Sequence, residues 1–492
     1  METVFTDIPA MSESETGEDG LSQHVVERLF FLCQEASARA SHLQQSVLAC
    51  FTLSVKRYDP LHVFYAFRRM EMGERFFWEV PATGQALIGV GSAVTINAQG
   101  ANRFDDAAEA VRFYQDHALV AGDEYSPLFF GGFRFDPQRP PTELWHGFPE
   151  GLLILPRFLY QCHPGREQAT LTLHMLIEPE TAIEPLSTLF IEQLRRFNAI
   201  VASIPVHRFL QANDEVTPLR ISNVLPPQEW MGIVAKAVEK MQRGEYQKVV
   251  LARAVEASRE LPFDIEATLA RLRVNYPNTF VFAIQRGNKY FVGATPERLA
   301  RAHNGLIETM ALASSAPRGK TEAEDRMFER ELERPKTMHE HLIVVDMIRS
   351  ALEQICSEVT VDKKPQLLKL KNIQHLHTHI AGRLLPGCYV LDVMKDLHPT
   401  PAVGGFPREK ALEEIRLHEK LDRGWYAGPI GWVDGNGNGE FAVALRSALI
   451  DGQKATLFVG NGMVADSDPE SEFRETCLKT PVMLRGLGGE CE

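Results

Sequence analysis

The stretch "EYQKVVLARAV" (residues 245–255) decides how the rest of the chain is read. Val249, Val250, Leu251 and Ala252 form a short apolar run with the look of a buried strand. Upstream of it, Trp230, Ile233, Val234, Ala237, Val238 and Met241 fall on one helical face, and "RGE" closes that helix. Downstream, "TFVFAIQRG", "KYFVGATPERLARA", a long helical stretch near 322–357, "GPIGWVD…EFAVALRSALI", "KATLFVGNGMV" and a last helix from about 469 alternate. Strands joined largely by hairpins, with long helices interposed, predict an α+β fold rather than a doubly wound parallel sheet. No internal repeat is visible.

Working towards the N-terminus, "QANDEVTPLRISNVLPPQEW" (211–230) is rich in turn formers and ends in Pro226-Pro227, which predicts a boundary. Residues 21–215 mix a helix, "LSQHVVERLFFLCQEASARA", with the strands "RFFWEV", "ALIGVGSAV", "GLLILPRFLYQC" and "ATLTLHMLI". Residues 1–20 are acidic and rich in Ser and Gly, and are expected to be a disordered tail. The expected division is therefore a tail (1–20), an N-terminal α+β part (21–215) and a C-terminal part (216–492) that carries the chemistry.

Bulk properties exclude several classes of function. The formal charge of −13 over 492 residues opposes non-specific binding to nucleic acid or to an anionic membrane, both of which need a basic surface. No apolar stretch approaches the ~20 residues that span a bilayer. The seven cysteines are scattered and form no C-x-x-C pair, the pattern of reduced thiols in a cytoplasmic protein. Three motif-like stretches fail. "DGNGNGE" (434–440) would need a Glu at Leu445 to be a calcium loop, "HEH" (339–341) would need a second His at Ile343 to be a zinc motif, and "GVGSAV" lacks the third glycine of a dinucleotide site.

Lys248 is the anomaly in the opening stretch, because it shares a strand face with the small residues Val250 and Ala252. Burial there would push its pKa down and make it a candidate base; the alternative is a strand-end lysine that reaches water. Glu340, in "PKTMHEHLIVVDMIRSAL", shares a helical stripe with Val344, Met347 and Ile348, so its carboxylate needs either a metal ion or an arginine. In "DPESEFRETCLKT", Glu472, Glu475, Thr476 and Lys479 form one polar stripe. That stripe is either a solvated face or, pairing Glu475 with Glu340, an oxygen-ligand set for Mg²⁺. Gly460 and Gly462 in "FVGNGMV" let a ligand approach backbone amides, and Arg446, read within the strand "FAVALRSALI", offers a fork for a carboxylate.

Taken in order, "QKVVLAR", "GATPERL", "ALASSAPRG", "HEH", "NIQHLHTHIAG", "HPTPAVGGFP", "RGWYAGPIGW", "FVGNGMV" and "FRETCLK" resemble the chorismate-using enzymes, over most of residues 228–488. That family comprises isochorismate, salicylate, anthranilate and aminodeoxychorismate synthases. The resemblance implies a single large α+β unit, with a deep site between two large antiparallel sheets flanked by helices. It also implies chorismate as a small-molecule substrate, Mg²⁺ as cofactor, and a monomer or homodimer. Lysine at position 248 is the family's mark of water addition, and "YDPLHVFYAF" and "GERFFWEV" resemble the menaquinone-type isochorismate synthases. Salicylate synthase is the nearest alternative and an anthranilate synthase large subunit a further one.

By the same resemblance Lys248 activates the water and Glu297 protonates the leaving hydroxyl. His375 orients the substrate, Tyr426 and Arg446 hold the enolpyruvyl carboxylate, and Gly460, Gly462 and Lys479 line the carboxylate site. Glu340 and Glu475 hold the metal, with Glu472 supporting it through water. Ser314, in "ALASSAPRG", stands beside the substrate where many relatives have glycine.

Overall fold

A computed structural model describes residues 23–122, 126–205, 218–369 and 373–489; the side chains of 313–315, 336, 340 and 373 lie outside the described set. The expected tail (1–20) and much of the expected boundary therefore fall outside the described residues.

Among these residues the chain forms a thirteen-stranded and a ten-stranded sheet. Every strand pairing is antiparallel except that of Val47–Lys56 with Ala118–Ala121. The expected α+β class and paired antiparallel sheets are observed. Phe76 of the larger sheet stacks on Phe130 of the smaller at 4.3 Å between centroids, inside an apolar core shared by both sheets. A second core lies between the larger sheet and the helices Gln23–Leu43, Pro60–Met70, Ile183–Ser203 and Ile265–Asn275. Strands from both sides of residue 215 share each sheet. Phe280–Arg286 pairs with Arg75–Val80 in one sheet, and Pro429–Asp434 pairs with Leu128–Phe133 in the other. Among the described residues no helix is long and apolar enough to cross a membrane.

Four apolar runs read as single strands are each two strands, one in either sheet. The chain changes sheet between Val90 and Val94, between Leu155 and Phe158, between Thr295 and Arg298, and between Val443 and Ser447. Hydrophobic continuity does not reveal such a crossing, because the residues stay buried on both sides of it. Likewise the helical stretch near 322–357 is two helices, Glu322–Leu332 and Pro335–Ile355. It breaks where Pro335 can begin a helix but not continue one.

The crossings expose a repeat that the residues conceal. In each half a helix precedes a hairpin of the larger sheet, the chain crosses to the smaller sheet, forms a hairpin there and returns. Gly293 lies beneath the ring of Phe282 and Gly89 beneath that of Phe76; a Cβ would stand 2.5 Å and 2.2 Å from those rings. Across the middle of the smaller sheet Gly431 faces Gly131. These matching positions define a pseudo-twofold relation between the halves.

Candidate active site

A cavity of about 330 Å³ opens between the sheets in the C-terminal half, and the pairing registers show how room is made there. Gly293 pairs with Ser447, which pairs with Phe458; two residues on, Gly460 lies opposite Ala252. In the other half Gly89 pairs with Leu159, which pairs with Thr172; two residues on, His174 lies opposite Cys50. Where one half has a glycine the other has a buried imidazole, whose Nδ1 donates to Pro156 O at 2.7 Å, beside a buried thiol.

Two of the sheet crossings supply the cavity's charged wall. The crossing after Thr295 carries Glu297, and the crossing after Val443 carries Arg446. Arg446 is not within a strand, as its sequence context had indicated. It sits between two strands with φ +48°, a conformation costly for a side-chain-bearing residue, and this turn aims the guanidinium into the gap. The crossings are bonded to each other. Val443 N donates to Glu297 O at 2.9 Å, Ala294 N donates to Arg446 O at 3.1 Å, and Thr295 Oγ1 donates to Val443 O at 2.6 Å.

Burial pushes the Glu297 carboxyl up to about 7, against the opposing pull of the Arg446 and Lys248 charges. Burial likewise pushes the Tyr426 hydroxyl up to about 12 and Arg446 down from its ordinary value. Among the described residues the Arg446 guanidinium has no hydrogen-bonding or ion-pairing partner in the protein. A half-buried, charged fork with open donors is a site for an anionic ligand.

The strand Lys248–Ser258 forms the facing wall. It begins after Gly244, whose φ of +77° lets the chain turn out of the helix Pro227–Gln242. Lys248 is 4 % exposed, so it is not a lysine reaching water. Its side chain passes over Gly462 on the neighbouring strand, where a Cβ would stand 3.0 Å from Cε and 3.6 Å from Nζ. Gly460 makes the same kind of room for Tyr426, whose hydroxyl would lie 3.1 Å from a Cβ there. Both glycines are needed for space, since neither has a positive φ.

The helix Pro469–Lys479, capped by Asp468 through Ser471 N at 2.8 Å, brings Glu472, Glu475 and Lys479 to the cavity. Lys479 Nζ lies 3.0 Å from Glu475 Oε1 and donates to Gly460 O at 3.1 Å and Asn461 Oδ1 at 2.9 Å. Burial lowers its pKa, with Glu475 opposing. Asn461 Nδ2 donates to Glu472. Glu475 thus already neutralises a cation, and two carboxylates one turn apart are a donor set that suits Mg²⁺, which keeps several waters of its own. Among the described residues no group of three or more His, Cys, Asp or Glu side chains converges as a complete metal cage.

Ten of the twelve expected site residues line this one cavity: Lys248, Glu297, His375, Tyr426, Arg446, Gly460, Gly462, Glu472, Glu475 and Lys479. The side chains of the other two, Ser314 and Glu340, lie outside the described set. Beside Glu340, His341 is buried with Nε2 2.7 Å from Thr378 Oγ1. Sequence reasoning missed Arg423, Asn461, Glu331 and Arg334, which also line the cavity. For Arg423 the available signal was its i,i+4 spacing from Glu419; for Asn461 it was its place between two glycines.

Residues 33–488 match the family described as chorismate binding enzyme. The chain is 36 % identical over 463 residues to "Isochorismate synthase MenF" of Bacillus subtilis, covering 92 % of this chain and 96 % of that one. It is 37 % identical over 462 residues to "Salicylate biosynthesis isochorismate synthase" of Pseudomonas aeruginosa, covering 93 % and 94 %. Among solved structures it resembles MenF, the menaquinone-specific isochorismate synthase of Escherichia coli, with TM-score 0.72 and 25 % identity over 94 % of this chain and all of that one.

Proposed function

The chain belongs to the chorismate binding enzyme family, and we propose that its cavity converts chorismate to isochorismate with Lys248 as base and Glu297 as acid. The enzyme is an isomerase: water adds at C2 of the ring, the C4 hydroxyl leaves, and the formula is unchanged. The observation that carries the reading is a buried amine and a buried carboxyl on the walls of one cavity, beside an arginine whose donors are open.

Lys248 Nζ takes a proton from the water that attacks C2. Each ring double bond moves one position, and the C4–O bond breaks as Glu297 delivers its proton to that oxygen. With its pKa at about 7, Glu297 still holds a proton in a useful fraction of molecules at neutral pH. Arg446 and the Tyr426 hydroxyl hold the enolpyruvyl carboxylate, where a bidentate charge-assisted contact fixes orientation. His375 orients the ring, Ser314 stands beside it, and Gly460 and Lys479 line the end that receives the ring carboxylate. Gly462 leaves Lys248 its path.

Glu340 and Glu475 would hold Mg²⁺ at that end, with Glu472 supporting it through water. When bound, the ion supplies positive charge to the ring carboxylate.

The test is to incubate the protein with chorismate and Mg²⁺ and resolve the products. Isochorismate as the accumulating product supports the reading; salicylate with released pyruvate, or anthranilate when ammonia is supplied, would replace it.

A further inference from the structure

Two arginines line the cavity, Arg423 buried and Arg446 half-buried, and their hydrogen bonding separates their roles. Arg446 presents open donors, whereas Arg423 spends four of its five N–H groups on the protein. Arg423 Nε donates to Glu419 Oε1 at 2.7 Å and Nη2 to Glu419 Oε2 at 2.7 Å. Nη1 donates to Val403 O at 2.9 Å and Nη2 also to Val250 O at 2.7 Å. Its guanidinium carbon lies 4.2 Å from the ring centroid of Phe135. Little of this group is left for a substrate.

The Arg423 contacts lie where the strand bearing Lys248 lacks a neighbour. One edge of Lys248–Ser258 is paired with Lys454–Met463 from Val249 to Ser258. On the other edge the two-residue strand Gly405–Phe406 covers Lys248 and Val249, and Gly404 O accepts from Val250 N at 2.9 Å. Regular pairing resumes only at Val255, with Arg220–Asn223. In the gap, side chains complete the ladder. Arg423 binds Val250 O, Glu419 Oε2 accepts from Ala252 N at 2.7 Å, and Trp230 Nε1 donates to Ala252 O at 3.2 Å. The same guanidinium holds Val403 O, in the loop that forms the adjoining wall.

We infer that the buried Glu419–Arg423 pair is a positioning device: it serves as a substitute strand that fixes Val250 and Ala252, and through them the angle at which Lys248 enters the cavity, and ties that wall to the loop at Val403. The inference rests on Lys248 being the base. An unpaired strand edge would let the backbone move by ångströms, enough to misplace a reacting group. A buried ion pair whose remaining acceptors and donors bind backbone is held rigidly in place.

The test uses the full chain with Glu419→Gln and, separately, Arg423→Lys, which keeps the charge but loses the planar fork. Each should lower kcat by roughly 10- to 100-fold while the KM for chorismate moves less than about threefold. In the same proteins, amide hydrogen exchange should accelerate in residues 248–254 and 402–406 and stay unchanged in the distant strand Gln168–Ile177. If Arg423→Lys does not fold, Glu419→Gln carries both measurements. A raised KM with kcat retained would mean that Arg423 holds substrate itself and would overturn the proposal. So would unchanged exchange, or accelerated exchange with unaltered kcat. Should the wild-type protein leave chorismate unconverted, the functional reading fails, whereas the exchange measurement still reports on the substitute strand.

Discussion

Glu297 and Arg446 occupy two chain crossings that are hydrogen-bonded to one another, Val443 N to Glu297 O at 2.9 Å and Ala294 N to Arg446 O at 3.1 Å. A carboxyl and a guanidinium are thereby fixed in relative position by backbone bonds, and both side chains line the cavity. Neither group sits on a flexible loop, which suits a site that must hold a ring between opposing proton donors and acceptors.

This arrangement makes Glu297 a titrating acid. Chorismate turnover should fall as pH rises through about 7, because the proton to be delivered is lost. Folding stability should move in the same direction. The native carboxyl titrates near 7 and the unfolded one near 4.5, so the native state binds the extra proton between those values and stability declines across that window. Glu297→Gln should therefore abolish turnover and remove this decline, a relative gain of up to roughly 3 kcal/mol above pH 7. Thermal melts of both proteins at pH 5 and pH 8 read it; equal pH dependence would refute the buried-acid assignment.

Replacement of Lys248 by alanine should reduce turnover to background while the affinity for chorismate, measured by calorimetry with Mg²⁺ present, stays within about threefold. Retained turnover would remove Lys248 from the base role.

Gly462→Ala approaches the same amine from the neighbouring strand. The new Cβ would stand 3.0 Å from Lys248 Cε, so the lysine must shift by a few tenths of an ångström. A loss in kcat of about tenfold with KM little changed is expected, since reacting groups tolerate little misplacement. Unaltered kcat would show that the lysine needs no such clearance.

Arg446→Gln should raise the KM for chorismate by roughly 10- to 100-fold, the worth of one or two charge-assisted hydrogen bonds. The melting temperature should hold or rise, because the guanidinium has no protein partner among the described residues. A large loss of stability would instead indicate a structural arginine.

Chelation by EDTA should stop turnover, and added Mg²⁺ should restore it. Glu475→Gln should weaken Mg²⁺ binding at least tenfold by calorimetry without substrate, a readout independent of activity. Unchanged affinity would place the ion elsewhere.

The residues alone determined a good deal. Periodicity located the helix before residue 245 and the strand after it, the alternation of Lys248 with Val250 and Ala252 fixed which side chains share a face, and the i,i+3 spacing of Glu472 and Glu475 put both on one stripe. Such patterns are local, repeating every two or 3.6 residues, so a linear string contains them. Tertiary structure decided the rest. That Gly293 and Gly89 are equivalent, that the chain changes sheet at Glu297 and again at Arg446, and that Glu419 and Arg423 finish an edge more than 160 residues away in sequence depend on pairings between distant strands. The apolar code for a strand is the same whichever sheet receives it, because both interiors exclude water equally. Only the register of those pairings set Gly460 against Ala252 in one half, where the cavity opens, and His174 against Cys50 in the other.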